Sequence, residues 1–184
     1  MKSSVEFLEN KLKLQVNREK SKAGSLLRLK FLGFFLYKTG KKTGIRPHAK
    51  SLATFKKKAK AITGRSRGKK IEETLKELKL FTSGWLNYYS TAEMRERMKS
   101  LNEWLRRRIR MCIWKQWKKI SAKFRNLQKL GIAKQKAWEW ANTRLGYWRV
   151  AGSPVLSRSL TNKYLESIGY DDISKRYEVL YLSY

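Results

Sequence analysis

The side chains best equipped for chemistry in this chain are cations set among aromatic rings. They run through Trp104, Arg106-Arg107-Arg108-Ile109-Arg110 and Trp114-Lys115-Gln116-Trp117-Lys118. Guanidinium and ammonium groups bind phosphate and indole rings stack on bases, so this interleaving suits a nucleic-acid surface. An earlier stretch is more one-sided: no acidic residue lies between Glu19 and Glu72, while 17 Lys and Arg do. Lys41, Lys42, Arg46, Lys50, Lys56, Lys57, Lys60, Arg65, Arg67 and Lys69 are its candidate phosphate contacts. Over the whole chain 44 basic residues face 14 acidic ones, a formal charge of +30. Self-repulsion of that size opposes a compact state unless a polyanion supplies counter-charge.

Other chemistries fail on residue type. No Asp occurs before Asp171 and Asp172, and the glutamates are scattered over helical positions, so the convergent carboxylates of two-metal polymerases and nucleases are missing. His48 sits beside Pro47 in a basic segment with no carboxylate near it in sequence, which suits a loop or phosphate-contact residue better than a catalytic triad. Cys112 is the single cysteine and His48 the single histidine, so neither a disulfide nor a zinc site is expected. Gly64-Arg65-Ser66-Arg67-Gly68 lacks the Lys-Ser/Thr ending of a nucleotide-binding loop. On these grounds the chain reads as non-catalytic by itself, with no metal site.

With 41% apolar and 12% aromatic residues, the chain can bury a core, unlike a disordered basic tail. No apolar run approaches the ~20 residues of a membrane span, and the opening residues are no secretory leader. The expected location is intracellular. A role at a membrane surface, the least favoured class, would call for cations gathered opposite a broad apolar face on one helix, and vesicle binding would reveal it.

The elements that must position these side chains are mainly helical. Val5 to Leu14 suits a short helix running into an extended segment, and Leu26 to Tyr37 reads as a strand buried on both sides. Thr39 to Gly44 is a turn, with a short return at Ile45-Arg46-Pro47. From Lys50 the period is helical, with Leu52, Phe55, Ala59 and Ile62 on one face until Gly64. A second helix starts near Lys70 with Ile71, Leu75 and Leu78 inward, and Gly84 is a place for a kink or cap. A third, Met94 to Ile120, carries a core stripe through Met98, Leu101, Leu105, Ile109 and Cys112. Rotation by about 100° per residue puts Arg106, Arg107, Arg110, Trp114, Trp117 and Lys118 opposite that stripe. Trp114 and Trp117 then either pack on a neighbouring helix, or one of them stacks on a base or sugar beside Arg107 and Arg110. Further helices are expected over Ala133 to Leu145 and from Pro154 to Ile168, with a tail that folds back on the body.

In this order the segments resemble the carboxyl-terminal third of the group II intron reverse transcriptases that double as maturases. Leu14-Gln15-Val16-Asn17 with Lys20-Ser21, and Phe31-Leu32-Gly33-Phe34, resemble the end of the palm. Arg46-Pro47 with Lys50-Ser51, Phe55-Lys56, Thr63 with Arg65, and Gly84-Trp85-Leu86-Asn87-Tyr88-Tyr89 resemble the maturase-specific part. The Trp104 to Lys118 segment, Leu130-Gly131-Ile132, Ala137 and Gly146-Tyr147-Trp148 come next, in the family's order.

The resemblance implies a mainly α fold: a helical thumb and maturase bundle over residues 48–184, preceded over 1–47 by a remnant of the palm, a helix plus a small antiparallel β element. It implies binding of structured intron RNA to assist splicing, and positioning of template and primer. The family's Tyr-Ala-Asp-Asp motif and Cys- and His-rich endonuclease region have no counterpart, so the chain resembles the terminal piece of a polymerase, a fragment or a truncated or split frame. Mg2+ is then expected only on the missing polymerase part, a further partner, and no cofactor on these residues. The implied setting is the bacterial cytoplasm, associated with nucleic acid. The alternative is a module of a mobile element that binds target DNA. The expected RNA contacts are Lys41, Lys42, Arg46, Lys50, Lys56, Lys57, Lys60, Arg65, Arg67, Lys69, Arg106, Arg107, Arg110, Trp114, Lys115 and Lys118.

Overall fold

In a computed structural model that describes residues 2–19, 24–25, 27, 30–40 and 42–183, a small hairpin precedes a helical body. Helix α1 (Lys2–Glu6) continues into one π turn (Phe7–Lys11) that buries nothing. Strands β1 (Phe34–Thr39) and β2 (Lys42–Pro47) pair antiparallel, with Thr39 opposite Lys42 at the turn end. Gly40 turns the chain at φ +58°, a conformation that suits glycine. Gly44 lies opposite Tyr37, whose ring passes where a Cβ would stand, and the Arg46 guanidinium covers that ring at 3.7 Å.

The strand expected over Leu26 to Tyr37 is shorter and less buried than its apolar run suggests. Leu26 and Leu29 lie outside the described residues, as do Lys20 and Ser21 of the palm-like motif. Leu32 at φ +48° and Gly33 at φ +84° turn the chain just before β1, and Phe31 and Leu32 are exposed. A two-stranded sheet has no partner for its second face, so alternation of apolar residues here does not mean burial on both sides. Side chains from the helical body hold the turn: Ser51 Oγ donates to the Gly33 carbonyl at 2.9 Å, and Tyr88 Oη donates to the Leu32 carbonyl at 2.7 Å. A Cβ at Gly33 would stand 2.4 Å from the Tyr89 hydroxyl.

Pro47 ends β2 and His48 caps α2 (Ala49–Ile62), its Nδ1 accepting the Lys50 N–H at 3.1 Å. This is a structural role for the single histidine. Helix α3 (Ile71–Tyr89) begins where expected and runs unbroken through Gly84. Phe55 from α2 meets Phe81 and Trp85 from α3, and Trp85 lies against Tyr89 at 4.4 Å between centroids.

Helix α4 (Arg95–Gln116) is the axle of the body. Its stripe of Met98, Leu101, Leu105, Ile109 and Cys112 is buried as anticipated, with Asn102 along it, but so are Arg108, Met111 and Trp114 away from it. At Trp117 the helix stops, short of the expected end at Ile120, and α5 (Ile120–Lys129) and α6 (Lys134–Ala141) form a hairpin around Gly131 at φ +82°. Three short helices come next, α7 (Tyr147–Ala151), α8 (Pro154–Ser159) and α9 (Asn162–Ser167). The single helix expected from Pro154 to Ile168 is divided at Thr161, whose side chain caps α9 by accepting the Tyr164 N–H. Helix α10 (Ile173–Leu182) packs on α3 and α4.

Asp172 ties α10 to α4. It is buried, caps α10 by accepting the Ser174 and Lys175 N–H groups at 3.0 Å, and receives hydrogen bonds from Asn102 (2.8 Å) and Arg106. Tyr170 donates to Asn102 Oδ1, and burial raises its hydroxyl well above the usual range, so it stays a donor. Tyr177 pins the turn before α4, donating to the Ala92 carbonyl at 2.7 Å and accepting the Met94 N–H at 3.1 Å.

Burial alone would raise the Asp172 carboxyl, but hydrogen bonds from Asn102, the Lys175 N–H and Arg106 outweigh it and hold the group below the ordinary carboxylate range. A depressed folded value stabilises above the unfolded value, near pH 4, and that contribution is lost as pH falls through the folded value. The acid limb of a curve of melting temperature against pH is therefore expected to flatten in Asp172→Asn. At neutral pH, Asp172→Ala is expected to cost about 3–5 kcal/mol in denaturant unfolding, because it strands Arg106 without its partner. Trp85→Ala is expected to cost about 2 kcal/mol by the same measurement, since its half-buried indole joins α2 to α3.

Candidate nucleic-acid interface

The arginine run of α4, the most prominent expected contact, is turned inward. Arg106 pairs with Asp172. Arg107 donates through Nε and Nη2 to the Trp148 carbonyl (3.2 and 2.9 Å) and lies 4.1 Å from the centroid of that indole. Gly152 makes room for it, as a Cβ there would stand 2.4 Å from the guanidinium carbon. Arg110 donates to the Leu160 carbonyl at 2.9 Å and to Asn162 Oδ1 at 3.0 Å. Trp114 is 1% exposed, with Trp117 edge-on to it and the Lys123 ammonium over its ring at 4.6 Å. Stacking of Trp114 on a base is thereby corrected to packing. Arg106, Arg107 and Arg110, expected as phosphate contacts, serve in the structure as ties between helices. The acceptors they needed come from residues 148–172, which lie beyond the reach of any helical period read along α4.

Arg108 enters the core on the other side. It donates to Thr63 Oγ1 (2.5 Å) and to the Thr63 and Lys60 carbonyls (2.9 and 3.2 Å), closing the carboxyl end of α2. Burial works against its charge, and the helix-terminal carbonyls compensate. Cys112 donates its thiol to the same Thr63 carbonyl at 3.2 Å, and burial pushes that thiol up, away from reactivity.

These ties fix the loop of residues 63–70, and here expected contacts do converge. Arg65 and Lys69 from the loop meet Lys115 and Lys118 from the end of α4 around a cleft of about 430 Å³, with Gly64, Ser66, Gly68, Thr74, Cys112 and Gln116 completing its lining. Gln116 Nε2 donates to the Lys69 carbonyl at 3.1 Å and joins the two walls. Arg67 donates to the Ile62 carbonyl at 2.6 Å and, with Lys69, holds Glu77. Hydrogen bonds from Arg67 first and Lys69 second lower the Glu77 carboxyl, so it remains an anion shared by two cations. One aromatic ring serves the cleft: Tyr147 of α7 lies 5.0 Å from both the Arg65 guanidinium and the Lys115 ammonium.

The remaining expected contacts are spread out. Lys56, Lys57 and Lys60 are exposed along α2, with Lys56 beside a groove shared with Glu96 and Arg97. Lys50 borders a different recess, near Thr54 and Trp85. Arg46 faces Glu93 at 3.7 Å, Lys42 is exposed on the hairpin, and Lys41 lies outside the described residues.

Two features escaped the sequence reading. Tyr147 stands out in the sequence only as part of a motif, and nothing in its neighbourhood marks it as the partner of Arg65. The α5–α6 hairpin carries exposed Lys119, Arg125, Lys129, Lys134 and Lys136, with Trp138 exposed among them. Its signal was present: from Glu103 to Glu139 there is no acid, and 12 Lys and Arg lie between. Among the described residues no group of His, Cys, Asp and Glu could hold a metal ion, and no helix is long and apolar enough to cross a membrane.

Comparison with curated proteins found no match. Residues 52–131 match the family model of the group II intron maturase-specific domain, a span that takes in most of α2, all of α3, α4 and α5, and the basic cleft between them. The helical segment from Leu52 to Gly131 is thus the maturase-specific domain of a group II intron maturase.

Proposed function

We propose that this chain binds structured intron RNA, helps it reach the splicing-active fold, and helps position template and primer. The observation that carries the reading is the convergence of Arg65, Lys69, Lys115 and Lys118 on one cleft inside the matched domain, with a single carboxylate, Glu77, in attendance. Phosphates replace the missing acids there, and release of their counterions drives binding. The exposed lysines of α2 extend the contact, and the exposed cations and Trp138 of the α5–α6 hairpin add to it. Residues 1–47 are assigned to the end of a palm and 48–184 to the thumb and maturase region. Polymerisation and its Mg2+ belong to a reverse-transcriptase part that works with these residues, which take no cofactor of their own. The setting is the bacterial cytoplasm, bound to nucleic acid.

Charge removal separates binding from folding. The quadruple variant Arg65→Gln, Lys69→Gln, Lys115→Gln and Lys118→Gln is expected to melt near the parent temperature while its log–log salt slope for RNA flattens by about three, near 0.7 per lost phosphate contact. An unchanged slope in filter binding rejects the cleft as a contact. Arg106→Gln with Arg107→Gln and Arg110→Gln is expected to behave in the opposite way and lower the melting temperature, because those side chains hold α7 to α10 on α4.

A further inference from the structure

The cleft is larger than a phosphate contact requires. Its floor is Thr74 and Cys112, both buried, and its walls are the 63–70 loop and the last turn of α4. A recess of about 430 Å³ is of the size that holds a small organic molecule. A duplex offers it only phosphates, set on a convex ridge, and a paired base cannot leave the stack to enter. The cations stand at the mouth, where Arg65 and Lys115 share the Tyr147 ring and are thereby held in place although they repel each other. Gly68, at φ +73°, has nothing within 4 Å of where a Cβ would stand, which leaves the mouth open on that side. Gln116 brings an amide, donor and acceptor together, to the lining.

Resting on the RNA-binding reading above, we propose that the cleft receives one unpaired nucleotide extruded from the RNA. Its phosphate lies against Arg65 and Lys115, and its base enters toward Thr74 and Cys112 with an edge on Gln116. Tyr147 is a positioning residue that acts through the two cations. The protein thereby reads bulges and loops as well as binding phosphates generally.

Two hairpin RNAs of identical stem, one with a single unpaired uridine in the stem, test this with the full chain. The bulged hairpin is expected to bind about tenfold more tightly, the scale of one stacked and bonded base. With 4-thiouridine at the bulge, irradiation of the parent protein is expected to crosslink within residues 64–69 or 112–118. Ser66→Leu narrows an exposed part of the lining without changing charge and is expected to bring the two affinities together. Equal affinities in the parent protein, crosslinks confined to other residues, or a preference that survives Ser66→Leu each overturn the nucleotide site while leaving RNA binding standing. Failure of both hairpins to bind overturns RNA binding itself.

Discussion

The structure depends on how a chain with about three cations for every anion satisfies its arginines. Along α4 it does so mostly with backbone carbonyls. Arg108 closes the end of α2, Arg110 the end of α8, Arg107 bonds the Trp148 carbonyl, and Arg67 reaches the Ile62 carbonyl. Helix carboxyl ends carry partial negative charge and unpaired acceptors, so each can take a guanidinium without consuming an acid. The planar fork of arginine suits this better than the point charge of lysine. Among the described arginines of α4, Arg106 alone takes a buried carboxylate, and Asp172 caps α10 as well.

From this division of labour comes the interface. Arginines of α4 that look free in the sequence are committed to the fold, and the lysines with a few loop arginines are left at the surface. Arg108 and Cys112 hold the same Thr63 carbonyl that starts the 63–70 loop, so the packing of α4 shapes one wall of the basic cleft from behind. Folding and the proposed binding meet at this place: the residues that set the loop face inward, and the residues next to them in sequence face outward.

Tyr147 extends the arrangement across the chain. It lies beyond the matched maturase-specific segment, in the first of the short helices, yet its ring is shared by Arg65 and Lys115 of that segment. The carboxyl-terminal helices are therefore more than a cover for α4. They supply the aromatic surface that lets two like charges stand close together at the mouth of the cleft.

Helical periodicity, the inward stripe of α4, the start of α3 and the need for a polyanion are all set by residue order and charge, because each is a local or summed property. So is the resemblance carried by the motifs between Arg46 and Trp148. The β-hairpin was legible as a turn between apolar runs, but its limited burial was not, since burial depends on how many strands join the sheet. Which face of α4 meets solvent was decided only in three dimensions. A period of 3.6 residues says which side chains share a face; it cannot say what distant carbonyl or carboxylate will arrive against them. Asp172 for Arg106, Leu160 for Arg110 and Tyr147 for Arg65 are separated from their partners by long stretches of chain, and the contacts that chose between scaffold and surface exist only once those stretches have packed.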